Sequence, residues 1–440
     1  MSLFKPISIS LSPNTEKDDV LLAFKLLFQP WLWKKPTGGD PLLTLEGEFK
    51  NRRQQKEYKS AVQELEEEFK KYLEVKCAIS FNSGRSAFLA ILNSLGLQQG
   101  DEVLLQAFTC NAAVNPILWA GLEPVFIDCD EKTFNINVED LKRTLRQAQG
   151  KKPKVLMVQH TFGLPADIDE ILEICRQNNL ILIEDCAHSL GAEYYGKKTG
   201  TFGKAAFFSF SRDKVISSVY GGMAVTNDPS LAEKLRQAQG KFGYPSNFWI
   251  FQQLLHPILM NWLILPTYRI LGKYLLILFQ WLHILSKAVH WKEKRGKKPG
   301  YFPKRLSNAL AILALNQFKK LEQFNNHRKE IANFYYNELK ELSPFKLPPE
   351  REQIYLRFTV QYPKANQIIK RAWSKNLLIG DWYTTPIAPH DTKLEKLQYP
   401  LGSCPKAEKL AKETFNLPTH INISKKEAKI IINFLKKYGS

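Results

Sequence analysis

Ile181-Leu-Ile-Glu-Asp-Cys-Ala-His-Ser-Leu-Gly191, followed by Phe207-Phe-Ser-Phe-Ser-Arg-Asp-Lys214 and then Gly221-Gly222, decides how the rest of this chain is read. An apolar run that closes on Asp185 reads as a buried strand with a carboxylate at its terminus. A second apolar run closes on Ser209 and is followed by a lone lysine, Lys214. An amine in that setting can form a Schiff base with an aldehyde. A carboxylate at the neighbouring strand end can keep a ring nitrogen protonated, so that the ring accepts electrons. Each piece alone has an ordinary reading: Asp185 as a helix cap, His188 as a satisfied core histidine, Lys214 as a solvated loop residue. Their occurrence together and in this order points to chemistry, with pyridoxal 5'-phosphate (PLP) as the group served.

The surroundings have the matching architecture. Short apolar runs at 78–81, 102–105, 124–127, 155–158, 181–183, 205–208 and 222–225 alternate with helical patterns, which predicts βαβ units and a mainly parallel sheet. Ligands of such sheets gather beyond the carboxyl ends of the strands, where Asp185 and Ser209 fall. Asn82-Ser-Gly-Arg-Ser-Ala87 sits between the first run and an apolar helix. Its amides either cradle a phosphate or form an ordinary helix cap. The division expected is an N-terminal extension (1–56), a large PLP-binding domain (57–246), a hydrophobic and basic helical insert (247–299), and a small C-terminal α+β domain with its linking helix (300–440).

At 440 residues and 44% hydrophobic content the chain can bury a large core. Its six cysteines form no close C-x-x-C pair and lie mostly in apolar runs, which argues for reduced thiols and against a zinc site. No signal-peptide pattern precedes Pro13, so the catalytic body is expected in the cytoplasm. A net charge of +19 calls for an anionic partner. No nucleic-acid motif accompanies it, and no metal is expected.

The chain resembles the DegT/DnrJ/StrS sugar aminotransferases, a family of fold-type-I PLP enzymes, over about 57–227 and 301–424. The resemblance rests on Asn82-Ser-Gly-Arg-Ser-Ala87, Gly100-Asp-Glu-Val103, Pro165-Ala-Asp-Ile-Asp169, the stretch from Glu184 to Ala192, Phe208-Ser-Phe210 with Lys214, Cys404-Pro-Lys-Ala-Glu408 and Asn416-Leu-Pro418. It implies that Lys214 forms the Schiff base and shuttles a proton, that Asp185 partners the pyridine nitrogen, and that His188 lies near the phenolic oxygen. It also implies that Gly84, Arg85, Ser86 and Ser209 surround the phosphate. Lysine at 214 favours transamination over the family's dehydratases, which resemble it but carry histidine there. The implied substrates are a keto-sugar, expected to be nucleotide-linked, and glutamate, handled by a homodimer. Four positions depart from the pattern. Arg85 replaces a threonine and is expected to pair with phosphate. Cys110 replaces a ring-stacking aromatic, so that stacking is expected to be weaker or to come from Phe108. Arg305 replaces an asparagine that reaches the phosphate from the neighbouring subunit. Trp382, in Gly380-Asp-Trp-Tyr383, replaces a histidine near the substrate. These departures keep a second expectation open, that of a non-catalytic, membrane-associated scaffold.

Residues 248–291 stand where the family has a much shorter segment, and they run into Lys292-Glu-Lys-Arg-Gly-Lys-Lys298. At 100° per residue, Arg269, Lys273, Gln280, His283 and Lys287 form one stripe on a helix from Tyr268 to Leu285 that is otherwise largely apolar. Such a surface must be covered by protein or lipid. Charges in the stripe argue against a span and for an interfacial helix on an anionic membrane. The alternative is packing on its own subunit or across a dimer. The apolar patch Leu27-Phe-Gln-Pro-Trp-Leu-Trp33 has no assignment from sequence.

Overall fold

A computed structural model describes residues 5–34, 60–147 and 153–439. Of the expected N-terminal extension, residues 1–4 and 35–56 therefore lie outside the described residues. All seven apolar runs become strands of one sheet. They are β1 (Cys77–Phe81), β2 (Glu102–Gln106), β3 (Glu123–Ile127), β4 (Val155–Gln159), β5 (Ile181–Asp185), β6 (Ala205–Ser209) and β7 (Gly222–Thr226). Their order is β1-β7-β6-β5-β4-β2-β3. Neighbours from β6 to β3 pair in parallel, and β7 alone runs against both of its partners. Strands buried on both faces must be apolar throughout, and every residue of β4 is buried.

The helices that matter below are α1 (Lys17–Leu27), α2 (Ala61–Leu73), α3 (Gly84–Ser94), α4 (Asn111–Trp119), α5 (Asn247–Leu259), α6 (Lys273–Trp281), α7 (Asn308–Phe318) and α8 (Leu321–Leu339). α3 lies across the sheet, where Phe88 stacks on Phe207 with ring centroids 4.6 Å apart. The turn into α3 presses on β7 so closely that a Cβ on Gly222 would lie 2.3 Å from the carbonyl carbon of Ser83. Only glycine permits that approach, which sets the start of α3 over the strand ends.

The C-terminal part packs an antiparallel pair, Phe358–Gln361 with Thr414–Leu417, against α8 and the terminal helix Lys425–Tyr438. A short parallel pairing of Ile387–Ala388 with Thr109–Cys110 draws its Trp382–Tyr383 loop over the carboxyl edge of the sheet.

The insert departs from the regular helix expected over 268–285. α5 continues through a wide π-helical turn, and the chain then bends by 112° before a second π-helical turn leads into α6. Pro266 at the bend cannot donate a backbone hydrogen bond. α6 ends at Trp281, and His283 takes a left-handed φ of 58°. His283 and Lys287 therefore leave the predicted stripe. Among the described residues no single helix is long and apolar enough to cross a membrane.

Candidate active site

Seven of the ten residues singled out from the sequence line one cavity at the carboxyl edge of the sheet: Gly84, Arg85, Cys110, Asp185, His188, Ser209 and Lys214. The strand order explains this, because β5 and β6 are parallel neighbours that deliver Asp185 and Ser209 to the same edge.

Asp185 does not cap a helix. Its Oδ1 accepts the Ala187 N–H at 2.9 Å, while Oδ2 has no protein partner among the described residues. Burial pushes this carboxyl up to about 6, against the opposing pull of the Ala187 amide, Lys214 and His160. Burial likewise lowers the Lys214 amine, with Arg357 adding to the effect and Asp213, Cys110 and Asp185 resisting it. A lowered amine supplies more of the neutral form that attacks a carbonyl. The Lys214 Nζ lies 4.9 Å from the ring centre of Trp382.

His188 is held as a neutral ring. Burial, with Lys214 and Arg357 nearby, keeps it well below the usual histidine range. Its Nδ1 accepts the Phe162 N–H at 3.3 Å, so the proton resides on Nε2. The ring is stacked between Phe162 and Trp382, each 5.8 Å away.

At the start of α3 the Ser83 hydroxyl accepts the Ser86 N–H at 3.1 Å. The amides of Gly84 and Arg85 have no protein acceptor among the described residues, as the first amides of a helix do not. The cap reading therefore holds, and the first two amides are left open for an anion. Ser86 itself turns away: its hydroxyl donates to Asn82 at 2.7 Å and it does not line the cavity.

The Arg85 guanidinium is engaged elsewhere than expected. It forms a buried ion pair with Glu293 and donates to the Ala288 carbonyl at 3.3 Å. It also lies over Phe302, 4.9 Å from the ring centre. The return arm of the insert thus packs on the start of α3. Removing one partner of a buried pair strands the other charge, at a cost of about 3–5 kcal/mol. Glu293→Gln is expected to lose stability of that order in a denaturant titration.

Phe108 does not line the cavity. A left-handed φ of 62° turns the chain at the end of β2 and sends the ring into a cluster with Phe134 and Tyr383, 5.7 and 5.3 Å away. The large aromatic facing Lys214 is Trp382 instead. Arg305 stands outside this chain's own cavity, 5.4 Å from the Tyr244 ring centre.

Several residues at the site carried no sequence signal. The Arg357 guanidinium lies on Trp382 at 3.4 Å and donates to Ser10 and Asp213 at 3.1 and 3.3 Å. Asn14 Nδ2 donates to the backbone carbonyls of Lys214 and Val215 at 2.5 and 3.2 Å, and Arg328 secures Asn14 at 2.9 Å. The N-terminal segment thereby fastens the lysine loop. Gln159 also lines the cavity, with its oxygen accepting from Thr109 at 2.6 Å.

The residues present fit PLP: a carboxylate with one open oxygen, an amine whose charged form burial disfavours, and two free amides at a helix start within one cavity. Sheet and site together define a PLP-dependent transferase of fold type I. A profile of the DegT/DnrJ/EryC1/StrS aminotransferase family matches residues 49–256 and 275–436, and the chain belongs to that family. It is a PLP-dependent aminotransferase. GDP-perosamine synthase of Vibrio cholerae is 26% identical over 396 residues, covering 86% of this chain and 90% of that enzyme. Among solved structures, the aminotransferase PseC of Helicobacter pylori, involved in the biosynthesis of pseudoaminic acid, superposes with a TM-score of 0.71. Its identity is 20%, with 98% of this chain and 99% of that one covered. The Escherichia coli GDP-4-keto-6-deoxy-D-mannose-3-dehydratase with bound hydrated PLP gives 0.70 at 21% identity, covering 98% and 99%. The stretch that the family profile leaves unmatched, 257–274, contains the bend of the insert.

Proposed function

We propose that the protein moves an amino group from glutamate to the carbonyl of a nucleotide-linked keto-sugar, for a surface polysaccharide or another glycoconjugate. It would work as a homodimer in the cytoplasm, with residues 248–298 resting on the anionic inner face of the membrane. The observation that carries the catalytic reading is Lys214 and Asp185 in one cavity, on a chain whose relatives include GDP-perosamine synthases.

Bound PLP supplies a carbonyl that condenses with amines and a ring that accepts electrons. The chain's own groups do the rest. Asp185, through its open Oδ2, would hold the ring nitrogen protonated. The amides of Gly84 and Arg85, with the Ser209 hydroxyl, would bind the phosphate. His188, with its proton on Nε2, would serve as a donor to the ring's phenolic oxygen. Lys214, fixed by Asn14 through its carbonyl, would hold the Schiff-base linkage and, once released, carry the transferred proton. Trp382 and Tyr383 wall the cavity and exclude water. Arg305 would reach its phosphate only across a subunit boundary.

A single-turnover experiment tests this. The PLP-loaded protein mixed with glutamate alone should release one equivalent of 2-oxoglutarate per subunit. No release would remove the aminotransfer reading and restore the scaffold. A panel of keto-sugar nucleotides then identifies the acceptor.

A further inference from the structure

The apolar surface on this protein is larger than the insert. α1 runs beside α5, and Phe24 packs on Trp262 with ring centres 5.4 Å apart and on Phe28 at 5.2 Å. On α1 Asp19 is buried and Asp18 is exposed, and both pair with Lys320, at 3.1 and 2.9 Å. α1 also presents Leu21, Phe24 and Phe28 at helical spacing, continued by Trp31, all exposed. Of the patch that the sequence left unassigned, Leu32 and Trp33 are buried, while Phe28 and Trp31 form half of a composite face. The other half is the bent pair. α6 buries none of its residues, and Ile270, Tyr274, Ile277 and Trp281 are 62, 65, 57 and 74% exposed. Packing on the same subunit does not cover this face among the described residues. A continuous apolar face of this kind marks a docking surface.

Charge selects the occupant. From residue 234 to residue 292 the sequence contains no Asp or Glu. Arg269 and Lys273 on the bent pair, and Lys25 on α1, make no ion pair among the described residues. A second copy seated on this face would bring like charges together with no carboxylate from the bent pair between them. Lipid phosphates supply the opposite charge, and a bilayer surface supplies the apolar cover.

A cleft at the edge of the face gives the phosphate a place. Tyr268, Arg269 and Lys273 line it together with Ser10, Trp373 and Asn376, around a volume of about 460 Å³. Asp381 lines it too, so two cations face one carboxylate. We infer that α1 and α6 lie together in the headgroup and acyl boundary, and that Arg269 and Lys273 hold the phosphate of an anionic lipid at the mouth of this cleft. The inference rests on the membrane reading above and adds to it both α1 and a defined headgroup site.

The test is flotation of the full-length, PLP-loaded protein with phosphatidylcholine vesicles, with and without phosphatidylglycerol. Binding should require phosphatidylglycerol. Each cation near the surface contributes a factor of about five, so Arg269→Gln with Lys273→Gln should weaken binding about 25-fold. Phe28→Ser with Trp31→Ser should weaken it at least tenfold, since burying one such side chain is worth about 1.5–3 kcal/mol. Glutamate turnover in solution should be unchanged in both variants, which shows that they are folded. Ile277→Ser with Trp281→Ser probes the insert alone. If that variant detaches while the other two bind like the parent, the membrane reading stands and the α1 and headgroup inference falls. If the parent protein ignores all vesicles, both fall. A larger oligomer that Trp281→Ser disperses would assign the face to a second copy. Release from vesicles by inorganic phosphate at constant ionic strength would assign the cleft to free phosphate and overturn the headgroup site.

Discussion

Lys214→Ala is expected to lower the rate of the glutamate half-reaction by at least about 10⁴-fold, while leaving the fold intact. Proton transfer by a positioned side chain accounts for roughly 10²–10⁴ by itself. Loss of the covalent attachment adds to that. The fold should survive because the loop is held through its backbone: Asn14 and Arg328 bind the carbonyls of Lys214 and Val215, and none of these bonds uses the lysine amine. The amine itself is disfavoured by burial, so its removal relieves the protein of a desolvated cation. The measurements are a rapid-mixing half-reaction and a thermal melt. A variant with unchanged melting that keeps more than a hundredth of the parent rate would show that another group carries the proton.

The sheet was legible because its physics is local. Strands buried on both faces must be continuous apolar runs, and all seven were marked in this way. The positions of Asp185 and Lys214 were legible for a related reason, since parallel strands must end at a common edge. What escaped were contacts made by segments remote in sequence. Asn14 lies 200 positions from the carbonyl it holds, and Glu293 lies 208 positions from Arg85. Neither carries a pattern of its own, and Glu293 as a partner of Arg85 was not anticipated. Phe108 was misjudged because a residue at a strand end was assumed to face the ligand, whereas a left-handed backbone turned it away. The insert was read with a uniform 100° per residue. Two π-helical turns and the left-handed His283 break that periodicity. The patch at 27–33 gained a meaning only from its neighbour, because an apolar helix face cannot be assigned until the surface beside it is known.

Asp185→Asn should move stability and activity in opposite directions. In the cofactor-free protein the buried carboxyl titrates at about 6, against an ordinary value of 3.8. The folded state therefore binds this proton more tightly than the unfolded chain does. Between about pH 4 and pH 6 the native state holds the proton and the unfolded state has lost it, so stability falls as pH rises through that window. Above pH 6 the full penalty applies. Two pH units at 1.36 kcal/mol each make it about 3 kcal/mol. Asparagine keeps an oxygen for the Ala187 amide and carries no charge to desolvate. The cofactor-free variant should thus be more stable than the parent by about 3 kcal/mol at pH 8, with the gain vanishing below about pH 4. Denaturant titrations across that range measure it. Catalysis should suffer, because a neutral amide cannot hold the ring nitrogen of PLP protonated. Breaking a buried charge pair costs about 3–5 kcal/mol, which corresponds to a rate loss of roughly 10²–10⁴. PLP should also stabilise the parent more than the variant, since a positive ring nitrogen cancels the penalty only where a carboxylate is present. A variant less stable than the parent at pH 8 without PLP would mean that the carboxyl at 185 is not held under strain, and the electronic role given to it would lose its physical basis.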